Sequence, residues 1–165
     1  MPSRIIYIMG VSGSGKTTIG QKLSTATGMP FFDGDDYHSA ANKKKMEDGH
    51  PLNDDDRRGW LISLNDLARK QSATEGAIIA CSALKEKYRV LLEQGIKARV
   101  DWVLLQGNFQ LISQRIHERR GHFMAADLLT SQFDTLELPT NAILVDVTQS
   151  PEEIVRRLIR QLELQ

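Results

Sequence analysis

The chain has 165 residues, a length that predicts one domain, 1–165, around one sizeable core. Hydrophobic residues make up 41% and charged residues 25%, as in a soluble globular protein. Basic and acidic residues number 21 each, so the formal net charge is +0, and no global field argues for nucleic acid or an anionic membrane. Any anionic ligand must be held by a local cluster. A single cysteine, Cys81, excludes an internal disulfide and fits a reducing cytoplasm. The first apolar run is too short for a signal peptide, and no run is long enough to span a membrane.

Residues 4–9 are apolar and β-prone and predict a buried strand. They lead into Gly10-Val11-Ser12-Gly13-Ser14-Gly15-Lys16-Thr17, which fits G-x-x-x-x-G-K-[ST] at every position. Thr18 and Ile19 open a helix over roughly 16–27. Strand, glycine loop and helix together form a phosphate-binding loop, whose backbone N–H groups and helix start converge on phosphate oxygens. In such a loop Lys16 reaches the β- and γ-phosphates of ATP and the Thr17 hydroxyl ligates Mg²⁺. Gly28 and Pro30 stop the helix, and Phe31-Phe32 begin a second short strand.

Asp33, Asp35 and Asp36 follow that strand, at the sheet edge where ligands bind in open α/β folds. Asp33 and Asp35 are read as facing the nucleotide site and Asp36 as a helix cap. Lys43 to Lys45 read as a solvated helix face. Gly49-His50-Pro51 breaks that helix, and Asn or Asp at 53–56 caps the next, with Trp60, Leu61, Leu64, Leu67 and Ala68 as its core stripe. Arg57 and Arg58 open two readings, a clamp on a substrate carboxylate or a surface Arg–Asp pair. Residues 76–81 predict a third strand, buried on both faces, with Cys81 a buried inert thiol. Ser82 and Lys85 lie at its carboxyl end, before a helix with Tyr88, Leu91 and Leu92 inward.

Residues 100–105 predict a fourth strand and Phe109 to about Arg120 a helix with Leu111, Ile112 and Ile116 inward. Its basic end, Arg115, Arg119 and Arg120, with His122 beyond, suits a helix C-terminus or a lid that neutralises phosphate charge. Residues 123–135 predict a second lid helix, 142–147 a fifth strand, and Ser150-Pro151 the capped start of a last helix. Five strands alternating with helices predict an α/β fold, a three-layer sandwich on a mainly parallel sheet.

The phosphate loop, Asp33-Gly34-Asp35-Asp36-Tyr37-His38, Pro51-Leu52-Asn53-Asp54-Asp55-Asp56-Arg57, Cys81-Ser82-Ala83-Leu84-Lys85, Gly121-His122-Phe123 and Ser131-Gln132-Phe133-Asp134-Thr135-Leu136-Glu137 together resemble the gluconokinases. The likeness covers nearly the whole chain. The loop is shared by many NTPases, whereas the Pro-Leu-Asn-Asp-Asp-Asp-Arg and Cys-Ser-Ala-Leu-Lys runs are far more specific. Arg58-Gly59 stands before Trp60 where family members often carry a proline.

The resemblance implies a P-loop kinase fold with a substrate-binding helical region at about 37–70 and a lid at about 117–137. It implies ATP:D-gluconate 6-phosphotransferase activity in a cytoplasmic homodimer. ATP would lie on the residues 10–18 and near Arg115 and Pro151. Mg²⁺ would lie near Thr17 and Asp33. Asp35 would meet the attacking hydroxyl, Arg57 the gluconate carboxylate, and Ser82, Lys85 and His122 the rest of the substrate. Lys16 and Arg119 would stabilise the transferring phosphoryl group. Two rivals stand beside this reading: a kinase for another small hydroxy acid such as shikimate, and an ATP-binding switch that phosphorylates no metabolite.

Overall fold

A computed structural model describes residues 3–118 and 126–164. Five strands run in chain order as β1 (Arg4–Met9), β2 (Phe31–Asp33), β3 (Ala77–Ala80), β4 (Arg99–Gln106) and β5 (Ala142–Asp146). The helices are α1 (Lys16–Thr27), α2 (Ala40–Glu47), α3 (Asp54–Ser72), α4 (Glu86–Glu93), α5 (Phe109–Glu118), α6 (Ala126–Thr135) and α7 (Pro151–Gln161). The sheet order is β2-β3-β1-β4-β5, and all four pairings are parallel.

β1 is central because it is apolar on both faces, and its alternation divides the core in two. Ile6 and Ile8 face α1, α5 and α7 through Ile19, Leu23, Ile112 and Leu158. Ile5, Tyr7 and Met9 face α3 and α4 through Trp60, Leu64, Ala68 and Leu92. Tyr7 stacks on Trp102 at 4.5 Å and donates its hydroxyl to Leu92 O at 2.8 Å, so this large polar group is buried with its bond made. Leu67, placed in the α3 stripe by its spacing, is half-buried, and Asn65 takes a buried position instead. Asn65 Nδ2 donates to Leu92 O and Gln94 O, which ties α3 to the end of α4.

From β1 the chain moves through α1 to β2 and β3 on one side, then crosses to β4 and β5 on the other. The carboxyl end of β1 is therefore the point where the connections diverge, and in open α/β sheets that crevice receives ligands. The phosphate loop occupies it. Gly13 has φ +80°, and a Cβ there would lie 2.6 Å from Ile116 Cγ1, so the loop packs against α5 as no side-chain-bearing residue could.

Caps set the entry to the elements around this crevice. Asn53 accepts from Asp56 N at 2.8 Å while the Asp56 carboxylate accepts from Asn53 N at 2.9 Å, a complete capping box at the start of α3. Ser150 caps α7 with Pro151 in its first turn. Asp36 caps no helix. A short 3-10 turn, Gly34–Tyr37, intervenes, with Asp33 as its cap, and Ser39 caps α2. The serine takes that place because the chain re-enters extended backbone at His38 and Ser39 before the α-helix begins.

Candidate active site

Two cavities share the phosphate loop as a common wall. The first, about 350 Å³, is lined by Gly13, Ser14, Gly15, Thr18, Arg115 and Pro151, among others. The second, about 450 Å³, is more polar and is lined by Ser12, Lys16, Asp35, His38, Lys43, Arg57, Trp60, Ser82 and Gln132, among others. The loop residues thus divide between the two sides, with Lys16 and Asp35 on the second.

Within the loop, Lys16 Nζ donates to Gly10 O at 2.9 Å and Val11 O at 3.0 Å, which holds the ammonium over the loop. Ser14 Oγ is buried and, among the described residues, has no hydrogen-bond partner. A buried unsatisfied hydroxyl in a glycine loop at a helix start suits an anionic ligand. Thr17 Oγ1 donates to Asp33 Oδ2 at 2.8 Å, and Asp33 Oδ1 accepts from Asp35 N at 3.0 Å. A hydroxyl and a carboxylate are hard oxygen donors of the kind Mg²⁺ prefers. Among the described residues no three His, Cys, Asp or Glu side chains gather as a metal cage.

Asp35 lines the second cavity beside Lys16. Burial raises its carboxyl above the ordinary range; Lys16 opposes that shift, and Asp33 and Asp36 add to it. Gly34, between the two acids, has room for no side chain, since a Cβ would lie 2.3 Å from Ala80 O. Trp60 Nε1 donates to Gly34 O at 2.7 Å, so the α3 tryptophan pins the acid turn as well as filling the core.

Arg57 lines the second cavity, and its Nη1 donates to the Tyr88 hydroxyl at 2.9 Å. The Tyr88 hydroxyl in turn donates to Asp54 Oδ1. Lys85 Nζ reaches the same Asp54 oxygen at 3.1 Å, and Lys87 pairs with its other one. These bonds, that of Lys87 foremost, hold the Asp54 carboxyl well below the usual range. Arg58 is exposed and outside this network. Lys85, assigned to the substrate from likeness, stands just before α4 and is engaged with Asp54 in the first turn of α3; it is not among the residues lining the cavity.

The lysine run divides as well. Lys44 is solvated and pairs with Asp48, whereas Lys45 Nζ lies 2.6 Å from Asp56 and Lys43 borders the second cavity. The solvated-face reading therefore holds for the exposed Lys43 and Lys44 and fails for the half-buried Lys45. Cys81 is fully buried, and burial pushes its thiol up to about 12, so it is no nucleophile. Ser82 lines the second cavity, and its carbonyl accepts from Gly10 N at 3.4 Å. Arg115 Nη2 donates to Val147 O at 2.7 Å beside the first cavity. Arg119, Arg120 and His122 lie outside the described residues.

Sequence reasoning gave no role to four residues of the second cavity and its surroundings: Gln132 and His38 in the lining, and Tyr88 and Asn42 behind it. Gln132 on α6 accepts from Ser12 N at 2.7 Å through Oε1 and donates to Ser12 Oγ at 3.1 Å through Nε2, bridging 120 positions. Tyr88 reads as a core residue from its helical spacing, and His38 and Asn42 as ordinary polar positions. Nothing local distinguishes them.

A model of the shikimate kinase family matches residues 12–163. A probable gluconokinase of Dictyostelium discoideum is 43% identical over 172 residues, spanning 96% of this chain and 86% of the relative. The thermoresistant gluconokinase of Escherichia coli is 40% identical over 164 residues, spanning 96% and 93%. The crystal structure of a gluconokinase from Sinorhizobium meliloti superposes with a TM-score of 0.85 at 39% identity, covering 98% of this chain and 96% of that one.

Proposed function

The chain belongs to the gluconokinases, and from that premise we propose that it transfers the γ-phosphoryl group of ATP to the 6-hydroxyl of D-gluconate, giving 6-phospho-D-gluconate and ADP. The observation that carries this reading is the shared wall: one phosphate loop separates a cavity suited to a nucleotide from a polar cavity bearing an acid and an arginine. A phosphoryl donor and a hydroxy-acid acceptor need that adjacency.

In this reading, backbone N–H groups of Gly10 to Thr18 cradle the phosphates, while Arg115 and Pro151 border the nucleotide. Thr17 and Asp33 hold Mg²⁺, which neutralises phosphate charge when bound. Lys16 meets the transferring group. Asp35 accepts a hydrogen bond from the 6-hydroxyl and orients it for in-line attack; its raised proton affinity suits it to receive that proton. Arg57 takes the carboxylate, Ser82 a hydroxyl, and Arg119 and His122 act from the lid at about 117–137. The helical region at about 37–70 supplies most of the substrate wall. The assignment to a cytoplasmic homodimer rests on the resemblance; the lone cysteine agrees with the compartment, and sedimentation equilibrium tests the assembly. Among the described residues, no helix is long and apolar enough to cross a membrane.

The test is ADP release from Mg-ATP with D-gluconate, with shikimate and with no acceptor. Gluconate-dependent release, with 6-phosphogluconate as product, supports the proposal. Release no greater than the blank, or greater with shikimate, refutes it.

A further inference from the structure

His38 belongs to the second cavity yet has no role in the scheme above. Three contacts define its state. The ring stacks on Trp60, centroids 4.1 Å apart and planes 16° from parallel, and Trp60 is itself fixed by its bond to Gly34 O. Asn42, buried on α2, places Nδ2 3.4 Å from His38 Nδ1 and 2.7 Å from Asp56 O. The second of those contacts settles which way the Asn42 amide points, because a flipped amide would set two carbonyl oxygens against each other. The remaining Nδ2 hydrogen therefore faces His38 Nδ1, which must accept.

An imidazole that accepts at Nδ1 carries its proton at Nε2 when neutral. Burial, with Arg57 and Lys43 adding positive charge nearby, lowers the imidazole pKa to about 4 and keeps it neutral at working pH. Nε2 has no partner among the described residues and is not sealed off as a buried unsatisfied atom. The stack fixes the ring plane, Asn42 fixes rotation within it, and one N–H donor is left unspent on a residue that lines the cavity.

The geometry points to His38 as a substrate-binding, specificity-determining residue whose Nε2–H donates to an oxygen of the polyhydroxy acid, with Asn42 as the positioning residue that selects this tautomer. The inference rests on the gluconate reading for the ligand and on Asn42 alone for the tautomer. It gives His38 a donor's role and excludes it as the base, since the available nitrogen already holds a proton. A site built on such a donor discriminates among polyols through the bond an analogue cannot accept.

Two measurements test it. Ring ¹⁵N resonances of the histidine-labelled wild-type protein, assigned to His38 by their loss in His38→Gln, report the tautomer directly. The expected pattern is protonated Nε2 and bare Nδ1; protonated Nδ1 overturns the inference. Steady-state kinetics then compare His38→Phe, which keeps the stack, with His38→Gln, which restores an amide donor near the Nε2 position. His38→Phe should raise the gluconate KM about tenfold and leave the ATP KM within about twofold, with His38→Gln close to wild type. An unchanged gluconate KM in His38→Phe, or an equal loss in both variants, overturns the role while the gluconate reading stands. A wild-type protein inactive on gluconate overturns that reading, and with it the ligand named for His38.

Discussion

Tyr88→Phe isolates the support of the proposed carboxylate clamp. The Tyr88 hydroxyl has one proton and uses it on Asp54, so it can only accept from Arg57, and its two bonds run in fixed directions. Burial foremost, then the bond to Asp54, raises its pKa, which keeps the phenol protonated across the working range. Phenylalanine preserves the ring, and with it the guanidinium 5.4 Å from the centroid. Asp54 keeps Lys85 and Lys87. The loss is then one hydrogen bond to a charged group, worth about 1.5–3 kcal/mol when buried. Arg57 is half-buried, so water recovers part of it and about 1–1.5 kcal/mol remains. That corresponds to a rise of about five- to twelvefold in the gluconate KM. The carboxylate does not react, so its binding is uniform between ground and transition states and kcat should hold. The assay is the coupled ADP measurement, with D-gluconamide as the uncharged control, on which wild type and variant should perform alike. A fall in kcat at constant KM, or a gluconamide penalty equal to that on gluconate, would refute the reasoning.

Lys16→Ala should lower kcat by about 10³-fold or more, because an ammonium at the transferring phosphoryl group acts chiefly in the transition state; near-normal turnover removes its role. Gly34→Ala drives a Cβ against the Ala80 carbonyl, a backbone atom that cannot step aside. Its urea midpoint should correspond to a loss of roughly 2 kcal/mol or more, and an unchanged midpoint would show that the acid turn can move. The histidine supplies a pH prediction. Its folded pKa, about 4, lies below the unfolded 6.5, so between those values the unfolded chain binds a proton that the folded chain refuses. Stability therefore falls as pH drops from about 6.5 to about 4. Denaturant midpoints at pH 7 and pH 5 should differ less in His38→Gln than in wild type, and equal differences would contradict a neutral His38.

What the sequence made legible has a physical pattern. The phosphate loop works through contiguous backbone, so eight adjacent residues carry nearly all of it. Strand β1, the helix ended at Gly28 and the caps at Asn53 and Ser150 are likewise local, written in periodicity and in side chains that bond within three residues. Where two local signals competed, the reading erred. Asp36 has a capping residue's chemistry, but the chain spends it inside a 3-10 turn and hands the cap to Ser39. The substrate cavity is another matter, because it is drawn from six separated segments around Ser12, Asp35, Lys43, Arg57, Ser82 and Gln132. Pairings between distant positions hold several of them in place: Lys45 to Asp56, Tyr88 to Asp54, Gln132 to Ser12. Charge and helical spacing cannot express such pairings: Lys45 read as solvated, and Tyr88 read rightly as core but with no sign of the bonds its hydroxyl makes. The consequence bears on how the two substrates are recognised. Nucleotide binding follows from a short pattern found in many chains, and acceptor choice from a network no single segment contains. A substitution in the loop should therefore strip phosphoryl transfer from any acceptor. One in the Asp54–Tyr88–Arg57 or Asn42–His38 chains should change which acceptor is taken and leave the nucleotide side intact.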